Sequence, residues 1–163
     1  MSFSTKATLE NWKGKEVKIQ GKKVVNKSAF EIGLVVEGQA KLLCAVNYGY
    51  LAASITTQSD TKGTELENPS KYAKEVPPTG HQVSSFKKIE NPNSDNEVLV
   101  GTPVDYAPHV EYGTVRMNAQ PFLRPSLDLA KGKAIAIITV NGKQEFKEYF
   151  EQHESYLREK GIK

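Results

Sequence analysis

The sequence predicts an α+β protein built from a long helix, a small antiparallel sheet, a polar loop or arm, and a C-terminal amphipathic helix. Three observations predict it: an apolar stripe at helical spacing over residues 28–46, short extended segments punctuated by turn-forming residues between 82 and 112, and a second stripe at helical spacing after residue 143. With 163 residues, 38% of them hydrophobic, the chain can bury one modest core. We therefore expect a single domain, 1–163, with 54–81 as an exposed loop or arm and 141–163 as a C-terminal helical extension.

In the first stripe Ile32, Val35, Val36, Ala40, Leu43 and Val46 recur at steps of three or four, the period of a helix with one buried side. Ser28 and Glu31 have the spacing of a capping box, which would start that helix, although an earlier start stays open. Upstream, 16–20 alternates polar and apolar residues before Gly21 and fits a short strand or a helical approach.

Residues 54–81 are rich in Ser, Thr, Lys, Gly and Pro and too poor in apolar side chains to repay the entropy of ordering them. Structureless loops of that length inside a domain usually serve a function or become ordered against a partner. Residues 82–89 and 97–100 are expected to be strands flanking the turn-rich stretch 90–96, which makes a hairpin. A third extended segment is expected over 104–112, ended by Gly113 and Thr114. Pro125 suits the first turn of a helix, where its missing amide costs nothing, so a second helix is expected near 124–131. The apolar run 134–140 fits either a strand or a helix, and Asn141-Gly142 signals a break. In the final helix Phe146, Tyr149, Phe150, His153 and Leu157 share a face, with Gly161 where a C-terminal cap is common.

Charge names no partner. The net +3 comes from 22 basic and 19 acidic residues mixed along the chain, unlike the clustered basic footprint of a dedicated nucleic-acid binder. The single cysteine, Cys44, excludes an internal disulfide framework and a multi-cysteine metal site, and its apolar neighbours predict a buried, inert thiol. No segment approaches the roughly 18 apolar residues that span a bilayer, and the first residues lack a basic-then-apolar leader. A soluble protein made in a cytoplasm is expected.

Of the three histidines, His109 stands two residues from Glu111, and on a strand both would point to one face within reach of one ion. No third ligand follows at fixed spacing: His81 falls in the loop and His153 on the last helix. The chain also lacks a Gly-x-Ser-x-Gly elbow, a phosphate-cradling loop ending in Lys-Ser or Lys-Thr, His-Glu-x-x-His and Gly-x-Gly-x-x-Gly. We expect no catalytic residue, no cofactor, no metal and no enzymatic turnover. The aromatic stripe Phe146, Tyr149 and Phe150 is an interface candidate, weighed against the plainer role of covering its own core.

The segment Tyr106-Ala107-Pro108-His109-Val110-Glu111-Tyr112-Gly113-Thr114, followed by Met117 and then Ala119-Gln120-Pro121-Phe122-Leu123-Arg124-Pro125-Ser126-Leu127, resembles the lambdoid-type neck and minor-tail-component family of tailed phages. The family shows a tyrosine-alanine strand ending in glutamate, an aromatic, glycine and threonine, then an alanine-glutamine-proline-phenylalanine-leucine-arginine-proline run opening a helix. A weaker likeness lies at Tyr48-Gly49-Tyr50-Leu51-Ala52-Ala53-Ser54-Ile55. Together they span about 28–130, while the polar segment before His81 and the tail after Lys133 depart from the pattern.

The resemblance implies that the long helix packs across the sheet and that the chain is a structural virion protein of the neck or tail-completion complex. As a bacteriophage assembly subunit it would join head to tail, forming a homo-oligomeric ring of six-fold symmetry. Its implied partners are further copies of itself, head-connector or stopper proteins and tail-tube or terminator proteins, with DNA passing through the ring and no membrane involved. Apart from the family, Gly113 permits a tight exit from the strand, Pro121 and Pro125 fix the approach to a helix, and Phe122 anchors that corner in the core. Glu111, Arg124 and the 54–81 loop are then the candidates for contact with partners. From another class, a prophage-derived protein- or nucleic-acid-binding module would use the 54–81 loop, and a metal-dependent hydrolase would use His109 and Glu111.

Overall fold

The computed structural model describes residues 14–45, 49–73 and 97–159, with 89, 92 and 94 as isolated positions; nothing is described of the side chains at 14, 15 and 157. Among the described residues it is an α+β fold in which two long helices pack side by side, with a two-stranded antiparallel sheet against the first of them.

Helix α1 runs Gly14–Leu43. It therefore begins well before the expected start, and Ser28 and Glu31 are not a cap but lie in its middle. Both receive Asn141 from the last helix: its amide nitrogen donates to Ser28 Oγ at 3.2 Å and to Glu31 Oε2 at 2.7 Å. The open stretch 16–20 is helical, and Val46 and Tyr48 lie outside the described residues. The last helix, α4, runs Leu123–Glu159 without interruption, about 55 Å at the usual rise. It absorbs the helix expected near 124–131, the unassigned run 134–140 and the aromatic stripe. Asn141-Gly142 does not break it: Asn141 is buried and hydrogen-bonded, so a local turn preference yields to a tertiary partner. The stretch from 141 is helical, continuous with α4 and laid on α1, while 160–163 with Gly161 lie outside the described residues. Lys27 meets Glu145 at 3.2 Å, and Tyr149 donates its hydroxyl to Glu16 Oε2 at 2.9 Å, so the two helices run antiparallel.

Between them Gly49, at φ 79°, turns the chain into the short helix α2, Tyr50–Ser54. Strand β1, Thr56–Gln58, follows at once and pairs antiparallel with β2, Leu99–Gly101, in the register Thr56 to Gly101 and Gln58 to Leu99. The exposed loop expected from 54 begins later: residues 54–59 are buried and 60–63 are exposed. Ser54, Thr57, Gln58 and Ser59 are hydrogen-bonded within the fold, while the Thr56 hydroxyl has no partner among the described residues, and Pro69–Lys71 forms a 3-10 turn capped by Asn68. The rest of that loop, 74–81 with His81, lies outside the described residues, as do 82–88 and most of the 90–96 turn. Among the described residues β2 pairs with β1, and the expected hairpin partner over 82–89 lies, apart from Ile89, outside them.

The core gathers Ala40 and Cys44 at the end of α1, Leu51, Ala52 and Ile55, then Val104, Ala107 and Phe122. Burial pushes the Cys44 thiol up to about 11, against roughly 8.5 for a free cysteine. We expect thiol reagents at pH 8 to label it slowly in the native protein and fast in denaturant; equal rates would show that the site is open.

Candidate functional site

The resembling motif folds as one corner, joining α3, Ala107–Tyr112, to α4. The expected strand over 104–112 is instead a turn and a helix, because Pro108 sits in the first helical turn, where proline is tolerated and an amide would be unpaired anyway. This changes the chemistry of the candidate pair. On a helix residues two apart diverge by roughly 200°, so His109 is exposed while Glu111 is buried, and the pair does not share a face. Among the described residues no cluster of three or more His, Cys, Asp or Glu side chains is placed to hold a metal.

Glu111 is therefore not an exposed contact residue: it is a buried cap. The first four amides of a helix have no partner within it, and its N-terminus carries partial positive charge. Glu111 supplies what α4 lacks. Its Oε2 accepts from the amides of Phe122 at 2.7 Å and Leu123 at 3.0 Å, and its Oε1 from the amide of Arg124 at 3.1 Å. The Arg124 side chain adds Nε to Oε1 at 3.1 Å and reaches back to the Glu111 carbonyl at 3.3 Å. Burial pushes this carboxyl up, but the three amides and the guanidinium outweigh it and hold it below the usual carboxylate range.

The other motif residues take roles around that clamp. Ala107 and Phe122 are in the core, and Pro125 lies in the first turn of α4. Tyr106 is exposed, and its carbonyl takes the amides of His109 and Val110 at 3.0 and 3.2 Å. Tyr112 is exposed, its ring 4.7 Å below the Arg124 guanidinium. Gln120 and Pro121 are exposed; the Gln120 amide donates to the Val110 carbonyl at 2.8 Å and ties the two sides together.

Gly113 ends α3 at φ 77°, ψ 177°, a conformation open to glycine and few others. A Cβ there would stand 2.7 Å from the Ala119 amide nitrogen and 2.9 Å from the Met117 carbonyl oxygen. We expect Gly113→Ala to cost about 2–3 kcal/mol in chemical denaturation; a neutral result would mean that the corner relaxes freely. Beyond Gly113 the chain makes a closed turn, with the Thr114 amide on the Met117 carbonyl at 2.8 Å and its return bond at 3.3 Å. Val115 at the tip is fully exposed.

A second buried polar cluster joins α1 to the sheet. Lys41 bridges Glu37 at 2.7 Å and Glu67 at 2.5 Å, Thr57 and Thr64 donate to Glu37 Oε2 at 2.7 and 2.8 Å, and Lys71 pairs with the other Glu67 oxygen. The spacing of Glu37 and Lys41, four apart on one helix face, was readable in the sequence, but the partners at 57, 64 and 67 were not. Burial pushes Glu67 up, yet Lys41, Lys71 and Tyr72 together lower it to about 2. A depressed carboxyl stabilises the fold above its unfolded value near 4.3 and loses that contribution as pH falls toward the folded one. We expect the Glu67 carboxyl carbon to titrate near pH 2 by NMR; a midpoint near 4.5 would contradict the bridge.

Of the aromatic candidates, Tyr149 covers α1 through Glu16 and stacks on His153 at 6.2 Å, Phe146 is half-buried, and Phe150 is exposed. The stripe therefore divides between its own core and the surface. No helix among the described residues is long and apolar enough to cross a membrane. No family model, curated protein or solved structure matches the chain.

Proposed function

We propose that the protein is a structural subunit of the phage neck or tail-completion complex, which joins head to tail by assembling with copies of itself into a ring. The observation that carries this is the locked corner. The residues behind the resemblance hold two helices in fixed relation through a buried carboxylate and present a rigid, apolar-tipped turn to the outside. A second feature agrees with it. In its first half α4 exposes Leu127, Leu129, Ile135, Ile138 and Val140, with Ile135 at 75%. A helix apolar on more than its buried side calls for cover, and exposed apolar surface marks contact with other proteins.

In this reading Arg124 and the turn, not Glu111, face partners, while Glu111 and Phe122 hold the geometry. The test is co-assembly. Purified chain mixed with head-connector or tail-tube protein is expected to form complexes that light scattering detects at moderate salt. If the chain ignores both proteins but binds duplex DNA with steep salt dependence, a nucleic-acid-binding module replaces this reading.

A further inference from the structure

We infer that the 114–117 turn of one copy seats in an apolar groove of a second copy, making a head-to-tail contact. This rests on the ring reading above and names its surface. The groove, about 560 Å³, lies between α1, β2 and the start of α4, lined chiefly by Ile32, Val36, Val98, Val100, Leu123 and Leu127. That volume is in the range that encloses a whole small ligand and has room for two or three side chains. The tip supplies matching chemistry. Val115 projects wholly into solvent in its own chain, Met117 is 36% exposed, and their turn is already closed by backbone bonds, so docking would cost little ordering entropy. Charge acts at the groove's edge: Arg116 rides beside Val115 on the exposed tip and the exposed Glu97 directly precedes Val98, while Arg124, which also lines the groove, is paired with Glu111 at 3.1 Å.

Knob and groove are different surfaces of one chain, so the contact is heterologous. Each copy offers its tip to one neighbour and its groove to the other, and repetition closes into a ring where the rotation allows.

The experiment is light scattering on wild type, Val115→Asp and Leu127→Asp, alone and mixed, with far-UV circular dichroism to confirm folding. Both positions are exposed enough for aspartate to leave the fold intact. Each variant alone is expected to lose every species above the single-chain mass at concentrations where wild type is multimeric. An equimolar mixture is expected to give two-chain species and nothing larger, because one variant keeps the groove and the other the tip. Arg116→Glu is expected to weaken assembly, and adding Glu97→Lys to restore it. A multimeric wild type that Val115→Asp leaves unchanged overturns the contact while leaving the ring reading standing. Variants that are monomeric singly and stay so when mixed overturn the head-to-tail pairing. A wild type that is monomeric at every concentration overturns the contact, and one that stays so with head-connector and tail-tube protein present overturns the ring reading as well.

Discussion

Replacing Glu111 by alanine is expected to destabilise the protein by about 3 kcal/mol, a loss of roughly 6–12 °C in Tm for a chain of this size. The carboxylate is 4% exposed and satisfies three backbone amides at the head of a 37-residue helix. Alanine leaves those amides without an acceptor in a place where water replaces it poorly. The ion pair to Arg124 contributes little by comparison, because the arginine side chain is 61% exposed. Arg124→Met should therefore cost under about 1 kcal/mol. The effect should also depend on pH with a definite sign. The Glu111 carboxyl is held below its usual range in the folded state, so its contribution is complete above the unfolded value near 4.3. It fades as pH falls through the folded value. Thermal denaturation of wild type and Glu111→Ala should show the full gap at pH 7 and a shrinking one below about pH 4. A gap that is absent at pH 7, or that widens in acid, would mean that the carboxylate does not cap the helix.

Phe122→Ala is expected to cost about 3–5 kcal/mol, since the ring is wholly buried among Ala40, Cys44, Leu51 and Val104 and its loss leaves a cavity that small neighbours cannot fill. Phe122→Leu should retain most of the stability. Unlike the Glu111 variant, the loss should persist unchanged below about pH 4, because no titrating group is involved. Urea denaturation of wild type, Glu111→Ala and Phe122→Ala at about pH 7 and about pH 3 separates packing from capping. An alanine variant as stable as wild type would place Phe122 outside the core.

The elements legible in the sequence were those whose signal is local. The stripe through Ile32, Val36 and Ala40 marks α1, and Pro125 marks the first turn of α4. The upstream half of α1 was harder to read because its buried face carries Ser28 and receives Asn141, a polar seam that leaves no apolar period. Polar composition misled again at 54–59. Ser54, Thr57, Gln58 and Ser59 read as loop residues, yet they are buried because each has a hydrogen-bond partner, some of them far away in sequence. Ser54 meets the Thr102 hydroxyl at 2.6 Å, and Thr57 meets Glu37 at 2.7 Å. Composition prices those residues as if they stayed in water. At 104–112 the aromatic and branched residues suggested a strand, whereas Pro108 carried the better signal. That one change of period moved Glu111 from a surface candidate beside His109 to the buried cap. The importance of Glu111, Phe122 and Gly113 was legible in the motif; the job of the glutamate was not, since its partners begin eleven residues later.

Ring assembly is open to direct view by imaging the purified wild-type chain in negative-stain electron microscopy, with its mass read in parallel by light scattering over a concentration series. A ring subunit is expected to give closed annular particles of uniform diameter and a mass that plateaus at a fixed multiple of the chain, near six. Particles no larger than a single chain at every concentration, with or without head-connector and tail-tube protein present, would contradict it.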